Sequence, residues 1–395
     1  MALNVTRRSE TIEYAIRDLV VPAQKLEAKG KKIIKLNIGD PNRFDFDTPD
    51  FIKNAYAHAL KNRRNYYEDS QGLKELREAL VQREKKFNRV KLNADKIIIT
   101  NGVSEALLFL FGALVEQGDN ILIPGPSYPP YTSFVKYFGG NPIEYRCIES
   151  EGWQPDIDYL EKKITKRTKA IVIINPNNPT GAVYSKKTLQ QIVDVAAAYN
   201  LPIISDEIYD QMNYKKHVSP CSLSKDAKFI QLNGISKVYL APGWRIGYMA
   251  LSNNFEELFD ACIRQARIRL CANTPGQYAY LAALKGPTTH IKKTKRKLRK
   301  RRDYAHKRLN EIEGLSTAKP EGTFYIFPKI EHPKYARNDK KFVLDLLHKK
   351  YVLFVNGSGF GKKFGTGHFR GVFLPKVEIL GEAFDRVEEF LKATK

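Results

Sequence analysis

Three apolar runs in this chain end abruptly in polar residues that can do chemistry. The run AIVII breaks into Asn175, Pro176, Asn177, Asn178, Pro179, Thr180 and Gly181. The run LPIIS ends at Asp206, with Tyr209 three residues on, and QLNGI ends at Ser236 and Lys237, eight residues before Arg245. If these runs are strands of one open parallel sheet, their carboxyl ends share a crevice, which is where such sheets bind ligands. A lysine flanked by apolar sequence is suited to a depressed pKa and to imine chemistry with an aldehyde cofactor. An aspartate at a strand end can keep a pyridine nitrogen protonated and so sharpen an electron sink. Asn178 and Tyr209 can hydrogen-bond a phenolic oxygen. Ser236 and Arg245 can bind a phosphate, the arginine through its planar fork.

Further phosphate donors come from Gly102, Val103 and Ser104, which open a helix expected over 104–117; its free backbone N–H groups and dipole make an anion site. Tyr128, in PGPSYPPY, can stack on a ring. Each residue alone has a bland reading: a solvated lysine, a capping aspartate, a proline-rich turn. Their order at successive strand ends is what makes the set specific.

The elements that must position them alternate. Helical patterns cover 51–61, 73–87, 104–117 and 187–199, and β-branched runs cover 96–100, 120–123, 170–174, 202–205, 229–232 and 246–251. Such alternation predicts βαβ crossovers and a mainly parallel sheet covered on both faces. An N-terminal helix is expected from Ser9 through Tyr14, Ile16, Leu19 and Leu26 to Gly30, followed by a strand over 32–38. After about residue 275 the texture changes. Helices at 277–284 and 342–348, strands at 323–328, 352–355 and 369–374, and a terminal helix predict a smaller α+β unit.

Composition excludes several classes. Of 395 residues 43% are hydrophobic and 28% charged, the pattern of a soluble globular protein. The longest apolar run, residues 106–115, is about half the ~20 residues a membrane span needs. The N-terminal MALNVTRRSE meets charge before an apolar stretch, so no secretory signal and a cytoplasmic location are expected. Cys147, Cys221, Cys262 and Cys271 lack CxxC spacing, which predicts reduced structural thiols and no metal site. The net charge of +23 is concentrated in residues 292–302, KKTKRKLRKRR. This run continues into a helical pattern ending at Gly314, with a stripe of Leu298, Tyr304, Ala305, Leu309 and Ile312, and reads as the solvated basic face of an amphipathic helix. The sharper alternative, a phosphate-backbone or membrane-surface patch, rests on charge alone.

The stretches NPNNPTG, SDEIYD and SKVYLAPGWRIGY closely resemble class I/II aminotransferases of the aspartate-aminotransferase fold. The resemblance runs from LNIGDP to GHFRGVFLP, and NIGDPNRFDF, NYYEDSQGLKELREAL and VLFVNGSGFG look more narrowly like archaeal alanine aminotransferases. It implies an α/β fold of the type I pyridoxal-phosphate class, with a mainly parallel seven-stranded sheet in a large domain (46–280) and a smaller α+β domain (281–395) joined by an N-terminal arm (1–45). It implies pyridoxal 5′-phosphate as cofactor, carried covalently by Lys237, with Asp206 on the pyridinium nitrogen and Asn178 and Tyr209 on the ring oxygen. Ser236, Arg245, Val103 and Ser104 look like the phosphate cup. Tyr67 matches a tyrosine that reaches the partner subunit's phosphate, implying a homodimer with shared sites. Arg370 resembles the arginine that grips the substrate carboxylate, with Gly39 closing over it.

One departure bears on substrate. Aspartate-specific relatives place a second arginine where this chain has Ile268, flanked by Arg267 and Arg269, which removes the expected clamp for a side-chain carboxylate. The expected activity is transfer of an amino group from alanine to 2-oxoglutarate. The rival activities are transamination of aspartate or an aromatic amino acid, or β-elimination by the same lysine and aspartate on the same fold. A dinucleotide site at Gly357, Gly359 and Gly361 is discounted because those glycines lead toward a strand, not a helix N-terminus. A specific nucleic-acid or membrane partner is not expected.

Overall fold

The computed structural model describes residues 5–10, 12, 16, 19–252 and 255–394. Of the helix expected from Ser9 to Gly30, residues 11, 13–15, 17 and 18, Tyr14 included, lie outside the described residues; its last part is helix Val20–Glu27.

In chain order the strands are β1 (Ile34–Lys35), β2 (Ile97–Thr100), β3 (Asn120–Gly125), β4 (Asn141–Ile148), β5 (Gln154–Pro155), β6 (Thr168–Ile174), β7 (Ile203–Asp206), β8 (Phe229–Gly234), β9 (Gly247–Leu251), β10 (Leu315–Ser316), β11 (Tyr325–Ile326), β12 (Lys329–Ile330), β13 (Val352–Leu353), β14 (Val355–Asn356) and β15 (Phe369–Val372). Eight of them form one sheet in the order β2-β9-β8-β7-β6-β3-β4-β5. β9 is antiparallel to both neighbours and β5 to β4, while β3, β4, β6, β7 and β8 pair in parallel. The sheet thus has one strand more than expected, because Gln154 and Pro155 fold back on β4.

The strand order reverses between β3 and β6, and ligands of open α/β sheets bind at such a switch point. The apolar strands alternate between two cores. Ile97, Ile99, Ile171, Ile173 and Ile203 face one core, while Ile98, Ala170, Val172, Ile174 and Ile204 face the other. A strand period of two with both faces apolar is what helices on both sides require. Helices Val103–Leu114 and Glu256–Arg269 cover one face, and Lys74–Phe87, Lys186–Ala198 and Thr274–Lys285 the other.

The longest elements not expected from sequence are β4 and helices Pro129–Tyr137 and Glu256–Arg269. β4 (NPIEYRCI) lies next to the sheet edge and mixes exposed and buried positions, so its charges hide it. The last helix buries Phe259, Cys262, Ile263 and Ala266, a stripe at helical spacing beneath many charges.

The smaller layers use short strands. β1 pairs in parallel with β13, and β15 is central in β11-β15-β14, with Arg370 opposite Val355. The strand expected over 32–38 is only two residues long, since the chain peels away after Leu36 toward the site. The basic run forms the helix Thr289–Asn310. Its stripe is buried at Ile291, Leu298, Ala305 and Leu309, and its outer face carries exposed Lys292, Lys293, Arg296 and Lys300. The solvated-face expectation holds for that side only, because Arg301 and Arg302 are each 5% exposed. Among the described residues no helix is long and apolar enough to cross a membrane.

Candidate active site

Register brings the strand ends together. β6 and β7 pair so that Ile174 stands beside Asp206, and β7 and β8 so that Asp206 stands beside Leu232. Residues 175–181 then leave β6 and turn on themselves, Thr180 donating through its hydroxyl to Asn177 Oδ1 at 2.8 Å. One cavity of about 130 Å³ lies across these ends. Val103, Ser104, Tyr128, Asn178, Asp206, Tyr209, Ser236, Lys237 and Arg245 all line it. Tyr67 does not; it stands 79% exposed on the surface of the single chain.

The Lys237 amine donates to the Gly39 carbonyl at 2.9 Å and lies 5.6 Å from the Phe324 ring centroid. Burial pushes its pKa down to about 8, with Arg370 and Arg245 adding to the effect and Asp40 and Asp206 opposing it. Such an amine is neutral in useful proportion near physiological pH, as a base must be. Asp206 shifts the other way. Burial raises its carboxyl to about 6, while hydrogen bonds from the Tyr131 hydroxyl (2.8 Å) and the Ile208 N–H (3.1 Å) hold it down. A cation placed against Asp206 would relieve that burial cost, which fits a protonated ring nitrogen.

The anion cradle is equally specific. Gly102, at φ +79°, precedes helix Val103–Leu114, whose first N–H groups are free of intrahelical partners. A Cβ at Gly102 would stand 2.3 Å from Arg245 Nη2, so only glycine admits the guanidinium there. Carbonyls of Pro242 and Asn101 orient Arg245 at 2.9 and 3.3 Å. The residues present therefore fit a phosphate-bearing pyridine aldehyde: an amine, an acid for the ring nitrogen, and a cationic cup.

Arg370 is 1% exposed beside this cavity. Its guanidinium lies between the Tyr325 ring at 4.4 Å and the Phe360 ring at 4.8 Å. It donates to Asn178 Oδ1 at 3.1 Å and to the Asn37 carbonyl, while its Nε finds no acceptor among the described residues. A buried, stacked guanidinium with a donor to spare is suited to a carboxylate. Gly39 completes the wall, since a Cβ there would meet the Tyr325 hydroxyl at 2.0 Å.

The clamp region differs from the sequence picture. Ile268 is 85% exposed and Arg267 is exposed with it. Arg269 turns inward, pairing with Glu105 at 3.3 Å and donating to the carbonyls of Ser70 and Ile99. Arg269 is thus turned into its own subunit through Nη2, while its Nε and Nη1 find no hydrogen-bond acceptor among the described residues.

Sequence reasoning missed Tyr131, Tyr325 and Phe360. Tyr131 had a signal, lying one helical turn after Tyr128; Tyr325 and Phe360 sit in apolar or glycine-rich runs that look like core. It also missed a buried network adjoining Asp206. Glu84, Glu207 and Asp210 are at most 2% exposed, with Arg83 pairing Asp210 at 2.7 Å, Tyr248 donating to Glu84 at 2.7 Å and Gln231 reaching both glutamates. Pairing of this kind is what makes buried charges tolerable, and it braces residues 206–210.

Comparison with known proteins agrees with this geometry. The family described as aminotransferase class I and II matches residues 31–381. Alanine aminotransferase of Mycobacterium tuberculosis is 41% identical over 392 residues, spanning 97% of this chain and 91% of that protein. Glutamate-pyruvate aminotransferase of Escherichia coli K12 is 39% identical over 391 residues, spanning 97% and 96%. The solved structure of an alanine aminotransferase from Pyrococcus furiosus superposes with a TM-score of 0.96 at 58% identity, covering 98% of this chain and 100% of the other.

Proposed function

This chain belongs to the class I and II aminotransferases, and we propose that it moves the amino group of L-alanine to 2-oxoglutarate, and back. Its cofactor is pyridoxal 5′-phosphate. When bound, that group supplies an aldehyde to take up the amino group and a protonated ring to draw electron density from Cα.

The chain's own residues do the rest. In this reading Lys237 would hold the cofactor through its Nζ, and the same amine, when free, would take the Cα proton. Asp206 holds the ring nitrogen protonated. Asn178 and Tyr209 hold the ring oxygen, and Tyr128 stacks on the ring. Val103, Ser104, Ser236 and Arg245 bind the phosphate. Arg370, supported by Asn178, grips the α-carboxylate so that the Cα–H bond points toward Lys237, and Gly39 closes the site.

The observation that carries the reading is convergence. A low-pKa amine, a buried carboxylate and a helix N-terminus with its arginine line one cavity, and a buried arginine adjoins it. The alanine preference draws on the printed activities of the relatives above and on the absence of an arginine at position 268. Tyr67, Ile268 and Leu270, all exposed, support a homodimer in which Tyr67 reaches the neighbouring phosphate. Unpaired Cys147, Cys221, Cys262 and Cys271 support a reducing compartment, the cytoplasm. The test is turnover of alanine, aspartate, glutamate and tyrosine, each with a 2-oxo acid acceptor; no pyruvate from alanine would end the proposal.

A further inference from the structure

The basic run 292–302 was the feature with no place in the chemistry, yet its inward side meets the active-site segment. Residues 37–48 form no ladder; Phe46 is buried in the core and Phe44 packs against it, and hydrogen bonds fix the backbone between and around them. Two of their carbonyls face the site: Asn37 accepts from Arg370, and Gly39 from Lys237 at 2.9 Å. Asn42 and Thr48 both donate to the carbonyl of Leu240, three residues past Lys237, at 2.8 and 2.5 Å. Between these points Asp45 is gripped by the basic helix. Arg301 donates to Asp45 Oδ2 at 2.7 Å, and Lys297 donates to the same oxygen at 3.0 Å and to the Asp45 carbonyl at 2.8 Å. Both cations also lie over the ring of Phe46, at 5.0 and 4.8 Å. Arg301 is itself fixed, its side chain 6% exposed and its other nitrogen donating to the Leu374 carbonyl.

We propose that Lys297 and Arg301, by gripping Asp45, position the segment that presents Asn37 to Arg370 and Gly39 to Lys237, making Asp45 a positioning residue for substrate affinity. The proposal rests on the reading of Lys237 and Arg370 given above. The short turn Pro41–Arg43, capped by the Asp40 side chain through Asn42 N–H, links the grip to Gly39, so a shift at Asp45 is passed along a stiffened stretch. Losing the grip frees the wall that closes over the amino acid and loosens the Gly39 carbonyl on Lys237 Nζ, but leaves the strand end that carries Lys237 in place. Affinity therefore falls and the chemical step does not. The grip is charge-based and about a third of the Asp45 side chain is exposed, so salt weakens it.

The test uses the full-length holoenzyme with Asp45→Asn, Asp45→Glu and, as a control on the outer face of the same helix, Lys300→Ala. Asp45→Asn is expected to raise KM for the amino acid about tenfold while kcat stays within about twofold, the loss typical of a broken charge-assisted pair. Asp45→Glu should recover most of that loss, and Lys300→Ala should match wild type. Raising salt should increase KM more steeply for wild type than for Asp45→Asn, since the Arg370 contact to the carboxylate is common to both. Trypsin cleavage after Arg43, followed by mass spectrometry, should be faster in Asp45→Asn; this readout needs no turnover, so it stands apart from the proposed activity. Wild-type KM in Asp45→Asn overturns the proposal, whether or not cleavage quickens, and so does an equal fall in kcat. If Asp45→Asn does not fold, Lys297→Met removes one of the two cations and should give a smaller KM rise; an unchanged KM there overturns the proposal equally.

Discussion

The Tyr131 hydroxyl donates to Asp206 Oδ2 at 2.8 Å from a fully buried position on the helix that follows Tyr128. With the Ile208 N–H it opposes the burial that raises the Asp206 carboxyl to about 6. Asp206→Ala should retain the cofactor but lose most of its rate, because an unpaired pyridine nitrogen is a poor electron sink. Tyr131→Phe should cost about tenfold in kcat/KM, the worth of one hydrogen bond to a charged group. Steady-state rates and cofactor absorbance check both. An Asp206→Ala enzyme that turns over like wild type would reduce Asp206 to a strand cap.

The Lys237 amine, pushed down to about 8, sets the pH dependence. The base must be neutral, so kcat should rise with pH up to about 8 and level off above it, falling about tenfold per unit on the acid side. Borohydride should fix the cofactor onto the tryptic peptide holding Lys237. A flat profile together with an unlabelled Lys237 peptide would place the base elsewhere.

Aspartate should be a poorer donor than alanine. Ile268 offers no charge, and Arg269 points inward, paired with Glu105 and bound to two carbonyls through Nη2. A second carboxylate left unpaired on desolvation costs more than the ~1–3 kcal/mol of a neutral polar group on protein-derived scales. Catalytic efficiencies for the two donors decide it. A value for aspartate about tenfold above that for alanine, some 1.4 kcal/mol the wrong way, would mean that another cation serves as clamp.

The outer face of helix Thr289–Asn310 should bind DNA or RNA weakly, without sequence preference and with no effect on activity. Its exposed lysines and arginines offer only phosphate-type contacts, which salt screens. Fluorescence titration at rising salt tests this. Submicromolar binding that survives high salt and disappears on neutralising Lys292, Lys293, Arg296 and Lys300 would restore a nucleic-acid role.

Much of the site was legible because its chemistry sits at strand ends. Lys237, Asp206 and Asn178 each follow an apolar run whose register is fixed by burial on both faces, so their convergence follows from the alternation of strands and helices. Tyr325 and Phe360 were not legible, since an aromatic beside a guanidinium looks like core until the fold brings Arg370 between them. Arg301 and Arg302 were misread for the opposite reason. A run of charges reads as solvated, and only long-range partners such as Asp45 and the Pro320 carbonyl turn two of them inward. β4 stayed hidden because a strand near the sheet edge tolerates charges that blur its period.

The most direct measurement of the central claim is a half-reaction. L-Alanine alone is added to yellow holoenzyme, and the products are counted against Lys237 sites. The account predicts about one pyruvate per site, no ammonium, loss of the yellow absorbance of the lysine-bound cofactor, and its return with one glutamate when 2-oxoglutarate follows. Lys237→Ala should give none of these. Ammonium released with the pyruvate, or no pyruvate at all, would contradict the account.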